Sequence, residues 1–204
     1  MYREDKYQLI DEFYFPKNID PNWFRNVYKE IWDEYEYDRH GLKISAGGIV
    51  LDFGANVGAF SRYASYKGAN HVYAFESDAE YFECLKLNTE ETFYDITLIK
   101  GFVSDRFEFG HYNFPTIFSM FNLNEVDFCK IDIEGWEFPL LLNSKAEDIQ
   151  KIKQFAIEVH GLYENGYKIL EIIEMFSKNN YCVNFEHIHK EYNIGMVYAK
   201  KKDL

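Results

Sequence analysis

Cysteine is scarce in this chain. Cys84, Cys129 and Cys182 are the only three in 204 residues. An odd number without Cys-x-x-Cys spacing excludes a disulfide framework and a thiolate zinc site. Positive charge is also in deficit: 22 Lys and Arg stand against 34 Asp and Glu, a formal net charge of −12. The single basic run is Lys200-Lys201-Lys202, and a balance this acidic repels polyanions, so no nucleic-acid partner is expected. No apolar run reaches the length of a membrane span, and Met1 to Lys6 lack the apolar core of a signal peptide. These absences lead to the expectation of a cytoplasmic protein with no membrane span.

What is present is apolar and aromatic. Hydrophobic residues make up 47% and aromatics 19%, too much for a disordered chain and enough for a substantial core. The length fits one domain over residues 1–204, with an N-terminal helical arm at 1–40 and an α/β core at 41–204. In the arm, Asp20-Pro21 are favourable cap residues for a helix over Asn22 to Asp33. Tyr14, Phe15, Trp23, Phe24, Tyr28, Trp32, Tyr35 and Tyr37 surround it, and packing against a sheet accounts for them better than a stacking surface for a sugar.

The organising stretch is Ile49 to Phe60, where an apolar strand ending Asp52-Phe53 enters the turn Gly54-Ala55-Asn56-Val57-Gly58 and then a helix. Glycine admits backbone conformations and close approaches closed to other residues. The unpaired N–H groups of the helix start favour an anion there, while Asp52 is suited to a cation such as an amine. A second apolar strand, His71 to Glu76, ends in an acid 24 positions beyond Asp52. In strand-helix-strand units an acid so placed holds ribose hydroxyls. The spacing is Gly-x-x-x-Gly, not the Gly-x-Gly-x-x-Gly of dinucleotide enzymes, which favours a nucleotide other than NAD.

Helix and strand then alternate, the signature of a parallel sheet. Helices are expected at Ala59 to Lys67, Ala79 to Asn88 and Ile169 to Ser177. Strands are expected at Ile96 to Lys100, Glu125 to Asp132 and Phe155 to His160. Gly101 to Asn124 reads as irregular, with a short helix near Thr116 to Phe121. Tyr181 to His189 and Ile194 to Lys200 read as an antiparallel hairpin turning at Glu191-Tyr192-Asn193. The fourth strand ends in Asp132-Ile133-Glu134-Gly135-Trp136-Glu137, and the fifth in Glu158-Val159-His160-Gly161. Both acid-rich ends belong at the ligand-binding rim of such a sheet. Glu137 is well explained as an acid at a helix start, and Glu158 shares a side with His160 by strand alternation.

Five segments together resemble the FkbM-like S-adenosylmethionine-dependent methyltransferases of the class I fold. They are Val50 to Gly58, Val72 to Asp78, Glu83 to Asn88, Val103-Ser104-Asp105 and Lys130 to Glu137, within residues 45 to 160. Asn56 replaces the glycine common in the wider class, and Ser77 replaces the family's usual proline. The resemblance implies a Rossmann-like, seven-stranded, mostly parallel sheet with an antiparallel last strand and helices on both faces. It also implies O-methylation of a sugar hydroxyl in a glycan or glycosylated small molecule. On this reading the turn carrying Asp52, Gly54, Ala55, Asn56 and Gly58 takes the methionine end of the cofactor. Glu76, with Ser77 beside it, takes the ribose, and Ser104 and Asp105 take the adenine side. Asp132, Glu134 and His160 face the methyl group, with Asp132 also touching the cofactor.

His160 is the first choice of general base: an imidazole of ordinary pKa near 6.5 is mostly neutral at physiological pH, and nearby carboxylates would raise that pKa and hold the imidazolium formed. The alternative is a divalent metal on Asp132 and Glu134, with His160, although the sequence assigns no metal ligand set. A nucleotide-dependent oxidoreductase and a non-catalytic S-adenosylmethionine-binding module are the rival functions.

Overall fold

The computed structural model describes residues 6–90, 95–189 and 193–202. The chain opens with a two-stranded antiparallel hairpin, β1 (Tyr7–Ile10) and β2 (Phe13–Pro16). Helix α1 (Pro21–Trp32) follows, and Asp20 caps it by accepting the Asn22 N–H at 2.9 Å. The arm therefore holds a hairpin as well as the expected helix. Its strands are four residues each, too short to stand out by alternation, and their place is fixed from outside. The Asn88 side chain accepts the Tyr14 N–H at 2.7 Å and donates to the carbonyls of Tyr14 (3.1 Å) and Val57 (2.7 Å).

The core is built from β3 (Ile49–Phe53), α2 (Ala59–Tyr66), β4 (His71–Glu76), α3 (Ala79–Thr89) and β5 (Ile96–Lys100). A short parallel pair, β6 (Phe102–Val103) and β7 (His111–Tyr112), and helix α4 (Phe114–Met120) organise the segment expected to be irregular. Next come β8 (Phe128–Ile131), α5 (Glu137–Leu142), α6 (Ala146–Ile149), β9 (Gln154–His160), α7 (Leu162–Lys178), β10 (Tyr181–His189) and β11 (Ile194–Lys201). Helix α7 begins seven residues earlier than its apolar periodicity suggested, directly after Gly161. The expected fourth strand loses both ends and keeps Phe128–Ile131. In the expected hairpin turn, Glu191 and Tyr192 lie outside the described residues.

The sheet has seven strands in the order β10-β11-β9-β8-β3-β4-β5. Strands β3, β4, β5, β8 and β9 are parallel, and β11 runs antiparallel to both β9 and β10. This is the architecture expected from the resemblance.

Strand alternation divides the core between two faces. Leu51, Phe53, Cys129, Ile131, Phe155 and Ile157 pack with Phe114, Phe138 and Phe176 of α4, α5 and α7. Val50, Phe128 and Ala156 point the other way, toward Phe24 and Ile31 of α1 and Phe60 and Tyr63 of α2. The same parity sends Asp52, Lys130, Glu158 and His160 to the α1/α2 face. Among the described residues no helix is long and apolar enough to cross a membrane.

Candidate active site

Two cavities open at the carboxyl ends of the parallel strands. The smaller, of about 210 Å³, is lined by Gly54, Asn56, Glu76, Ser77, Asp78 and Tyr81, and by Gly101, Phe102, Val103, Asp132, Ile133, Glu134 and Trp136. The larger, of about 660 Å³, lies between these strand ends and the arm; Trp23, Glu30 and Tyr37 face Lys130, Asp132, Glu158 and His160 across it. Gly54, Asn56, Asp132 and Glu134 line both.

The floor of the small cavity is made by backbone. Gly54 sits at φ 77°, and a Cβ there would overlap the carbonyl oxygen of Asp132. Only glycine lets the β3 turn and the loop after β8 touch. Asn56 also takes a left-handed φ, 52°, steadied by its Oδ1 accepting the Val57 N–H at 2.8 Å. Glu76 is 8% exposed, and its two oxygens accept N–H groups of Asn56 and Asp78, each at 2.7 Å. Burial raises its pKa, and those N–H groups oppose the rise. Each oxygen keeps a lone pair for a ligand hydroxyl.

Ser77 lines this cavity, and Ala55 lines the larger one. Gly58 caps α2 at φ 93°, close against Leu85. Three expected cofactor contacts are elsewhere. Asp52 is fully buried; it accepts a hydrogen bond from Ser61 at 2.6 Å and lies 3.3 Å from the Lys130 ammonium. The cation it holds belongs to this chain, because alternation puts Asp52 beneath α2. Ser104, also fully buried, bonds His111 at 2.8 Å, and Asp105 accepts from Asn143 at 2.8 Å. The preceding residues Gly101 to Val103 supply the wall instead.

The large cavity is charged. Lys130 is 3% exposed; its ammonium donates to the Gly54 carbonyl at 2.6 Å and lies 3.4 Å from Asp132 Oδ2. Burial opposes its charge, but Asp52 and Asp132 outweigh burial and raise its pKa. Glu137 is fully buried, and its carboxylate accepts the N–H groups of Ile133 (2.9 Å) and Gly135 (3.1 and 3.0 Å). It thereby holds a loop in which Glu134 and Gly135 both have positive φ, 53° and 99°. The same carboxylate meets His160 Nδ1 at 3.1 Å.

His160 Nε2 faces Glu158 Oε1 at 3.5 Å, Glu134 Oε2 at 3.6 Å and Asp132 Oδ1 at 4.0 Å. Burial alone would lower its pKa, but the bond to Glu137 and the charges of Glu137, Asp132 and Glu158 raise it to about 9. The expectation of a mostly neutral imidazole is therefore corrected: with these four carboxylates around it, His160 carries its proton at neutral pH. Glu158, with burial and Asp132 both acting on it, has a pKa well above the ordinary carboxylate value.

Asp132, Glu134 and His160 thus come together as expected, and sequence reasoning missed Lys130, Glu137 and the full part played by Glu158. Strand parity could have found Lys130, which lies directly beside Asp52 in the β3–β8 register. Of the arm's aromatics, Phe15 and Phe24 are buried in the core, as the packing reading holds, while Trp23, 42% exposed, reaches the cavity wall.

Comparison with known proteins agrees with this fold. Residues 90–183 match the methyltransferase FkbM domain. The 31-O-demethyl-FK506 methyltransferase FkbM of Streptomyces tacrolimicus is 38% identical over 64 residues, which cover 30% of this chain and 24% of that protein. The matched stretch is thus about a quarter of the relative's length. Among solved structures, Aeropyrum pernix fibrillarin with natively bound S-adenosyl-L-methionine superposes with a TM-score of 0.58 at 13% identity, covering 85% of this chain and 76% of the other. The precorrin-6y C5,15-methyltransferase of Geobacter metallireducens gives 0.55 at 16% identity, over 98% and 96%. The fold is the Rossmann-like fold of the class I methyltransferases. Over residues 90–183 the sequence is similar to the FkbM methyltransferases.

Proposed function

We propose that this chain transfers the methyl group of S-adenosylmethionine to an oxygen, the hydroxyl of a sugar in a glycan or glycosylated small molecule. The observation that carries the reading is the shared wall: Gly54, Asn56, Asp132 and Glu134 line both cavities. A group bound in one cavity is then presented at the mouth of the other. The cofactor fits the smaller one, where the glycine turn allows close approach and Glu76 keeps acceptor capacity toward a ribose. When bound, it supplies a methyl group on a positively charged sulfonium. The chain's own part is to align the acceptor oxygen in line with that methyl group and to remove the hydroxyl proton.

Oxygen as the acceptor atom is supported by the name of the Streptomyces relative, a 31-O-demethyl-FK506 methyltransferase. A sugar is supported by Trp23, a half-exposed aromatic face on a wall that also carries Glu30, Asp132, Glu134 and Glu158. The acids there, Glu30, Glu34, Asp132, Glu134 and Glu158, outnumber Lys29 and Lys130, which disfavours a nucleic-acid backbone. Because His160 holds its proton, Asp132 is the first proton acceptor in this reading: it borders both cavities, and its Oδ1 faces the acceptor side.

The test is incubation with labelled S-adenosylmethionine and a panel of deoxyhexose-containing glycans, read by mass for a methyl gain and by NMR for its position. A new O-methyl group on a sugar supports the proposal. Methylation of RNA or of a nitrogen, or no transfer with S-adenosylmethionine demonstrably bound, overturns it. A parallel titration with NAD separates the oxidoreductase alternative.

A further inference from the structure

On the acceptor side, Asp132, Glu158 and His160 each offer one ligand atom to a common point, with those atoms all within 4.8 Å of one another. The atoms that face each other are Asp132 Oδ1, Glu158 Oε1 and His160 Nε2. Each residue's opposite atom is fastened from behind by a buried partner. Lys130 holds Asp132 Oδ2 at 3.4 Å, the Tyr37 hydroxyl donates to Glu158 Oε2 at 3.4 Å, and Glu137 holds His160 Nδ1 at 3.1 Å. Those partners are 3%, 6% and 0% exposed. Three groups aimed at one point and anchored at the rear, one of them a histidine backed by a carboxylate, have the outer-shell support typical of metal ligands.

We propose that Asp132, Glu158 and His160 bind a divalent cation at the acceptor side of the cleft, the ion displacing the proton from His160 Nε2 to solvent while Nδ1–H stays on Glu137. The spacing suits it: two ligand atoms each about 2.0–2.2 Å from one ion, at angles of 90–120°, lie about 3–4 Å apart. The separations from His160 Nε2, 3.5 Å to Glu158 and 4.0 Å to Asp132, fall there. Two oxygens and one imidazole nitrogen suit Mn²⁺ and Mg²⁺, ions that keep further positions for water or for acceptor hydroxyls. The cation set therefore contains Glu158 in place of the Glu134 considered from sequence, whose side chain is 86% exposed.

This inference rests on the methyl-transfer reading only for its purpose. An acceptor hydroxyl bound to the cation is acidified, its O–H bond breaks as the O–CH₃ bond forms and the S–CH₃ bond breaks, and the proton leaves through exposed Glu134 to water. Asp132 is then a ligand, and the proton-accepting role assigned to it in an ion-free site passes to the solvent path.

The experiment is direct binding of Mn²⁺ to the full chain, followed by electron paramagnetic resonance and calorimetry without any acceptor. The expected result is one Mn²⁺ per chain, weakened at least tenfold in Asp132→Asn and in Glu158→Gln. Tyr37→Phe, which removes only a rear anchor, should weaken it about tenfold. Glu134→Gln should leave binding unchanged. Circular dichroism identifies any variant that fails to fold, and Tyr37→Phe decides the matter should the ligand variants unfold. No saturable Mn²⁺ site in the wild-type chain, or binding lost in Glu134→Gln and retained in Glu158→Gln, overturns the proposal. Mn²⁺ binding without methyl transfer would defeat the proposed function and leave the cation site standing. Methyl transfer untouched by EDTA, with no Mn²⁺ bound, would do the reverse.

Discussion

On the β3–β4 side of the crevice the contact surface is mainly backbone: a glycine turn, a left-handed Asn56, and N–H groups gathered by Glu76. On the β8–β9 side it is charge, with Asp132, Glu158 and His160 set in place by Lys130, Tyr37 and Glu137. Backbone sites tolerate little change, because their geometry is conformational and a single Cβ can fill them. Charged side-chain sites hold their shape through partners, so they can be altered in steps and respond to pH. The first half suits a ligand that never varies, and the second an acceptor that does.

The sharpest way to break this contrast is at Gly54. Gly54→Ala forces a side chain onto the Asp132 carbonyl at positive φ, and strain plus overpacking should cost about 2–6 kcal/mol. Thermal denaturation should show a large fall in midpoint together with lost S-adenosylmethionine binding. A variant with near-normal stability would remove the backbone argument. Glu76→Ala comes next. Losing charge-assisted bonds worth about 1.5–3 kcal/mol should weaken the cofactor about 10- to 150-fold by calorimetry. Unchanged affinity would take Glu76 out of the site.

The charged half should reveal itself through pH. His160 has a pKa raised to about 9 and Glu158 one well above the ordinary carboxylate value, so the folded chain binds more protons than the unfolded chain. The stabilisation of imidazolium is complete below about pH 6.5 and is lost as pH rises through 9. Glu158, raised in the same sense, contributes a loss of stability that sets in above the ordinary carboxylate range. In EDTA-treated protein the melting midpoint should fall from pH 6.5 to 9, and His160→Gln should flatten that slope. A wild-type midpoint that climbs over this range contradicts the geometry. The smallest effect is expected at Trp23, where alanine removes one aromatic face worth about 1 kcal/mol. The acceptor KM should rise about fivefold while cofactor affinity stays constant; a change in cofactor affinity would erase the division between the halves.

The same division explains what could be read from residues alone. Gly54, Gly58 and Glu76 sit in local patterns of strand, turn and helix, so their surroundings are set by near neighbours. Asp132 and His160 were legible as strand ends, because the rim of a parallel sheet is a topological location. Asp52 was placed with the ligand, but one step of strand parity turned it under α2 to Ser61 and Lys130. Ser104 and Asp105 failed for a similar reason: the chain passes the cavity at Gly101 to Val103 and has turned away two residues later. Glu137 was explained as an acid at a helix start, and nothing local revealed that it would be fully buried holding both a loop and His160. The hairpin of the arm depends on Asn88, 74 positions from Tyr14, a partner no short window contains.

The Asn88 side chain has a consequence for anyone recombining relatives of this protein. One amide stitches the arm's second strand to the residue just before Gly58, so the arm is a graft with its anchor in the host. A chimera that exchanges the first 40 residues to change the acceptor carries Tyr14 but leaves Asn88 behind. Grafts into hosts with asparagine at that position should take; grafts into hosts without it would strand the backbone N–H and carbonyl of Tyr14. A breeder of new specificities would therefore choose hosts by residue 88 before choosing arms.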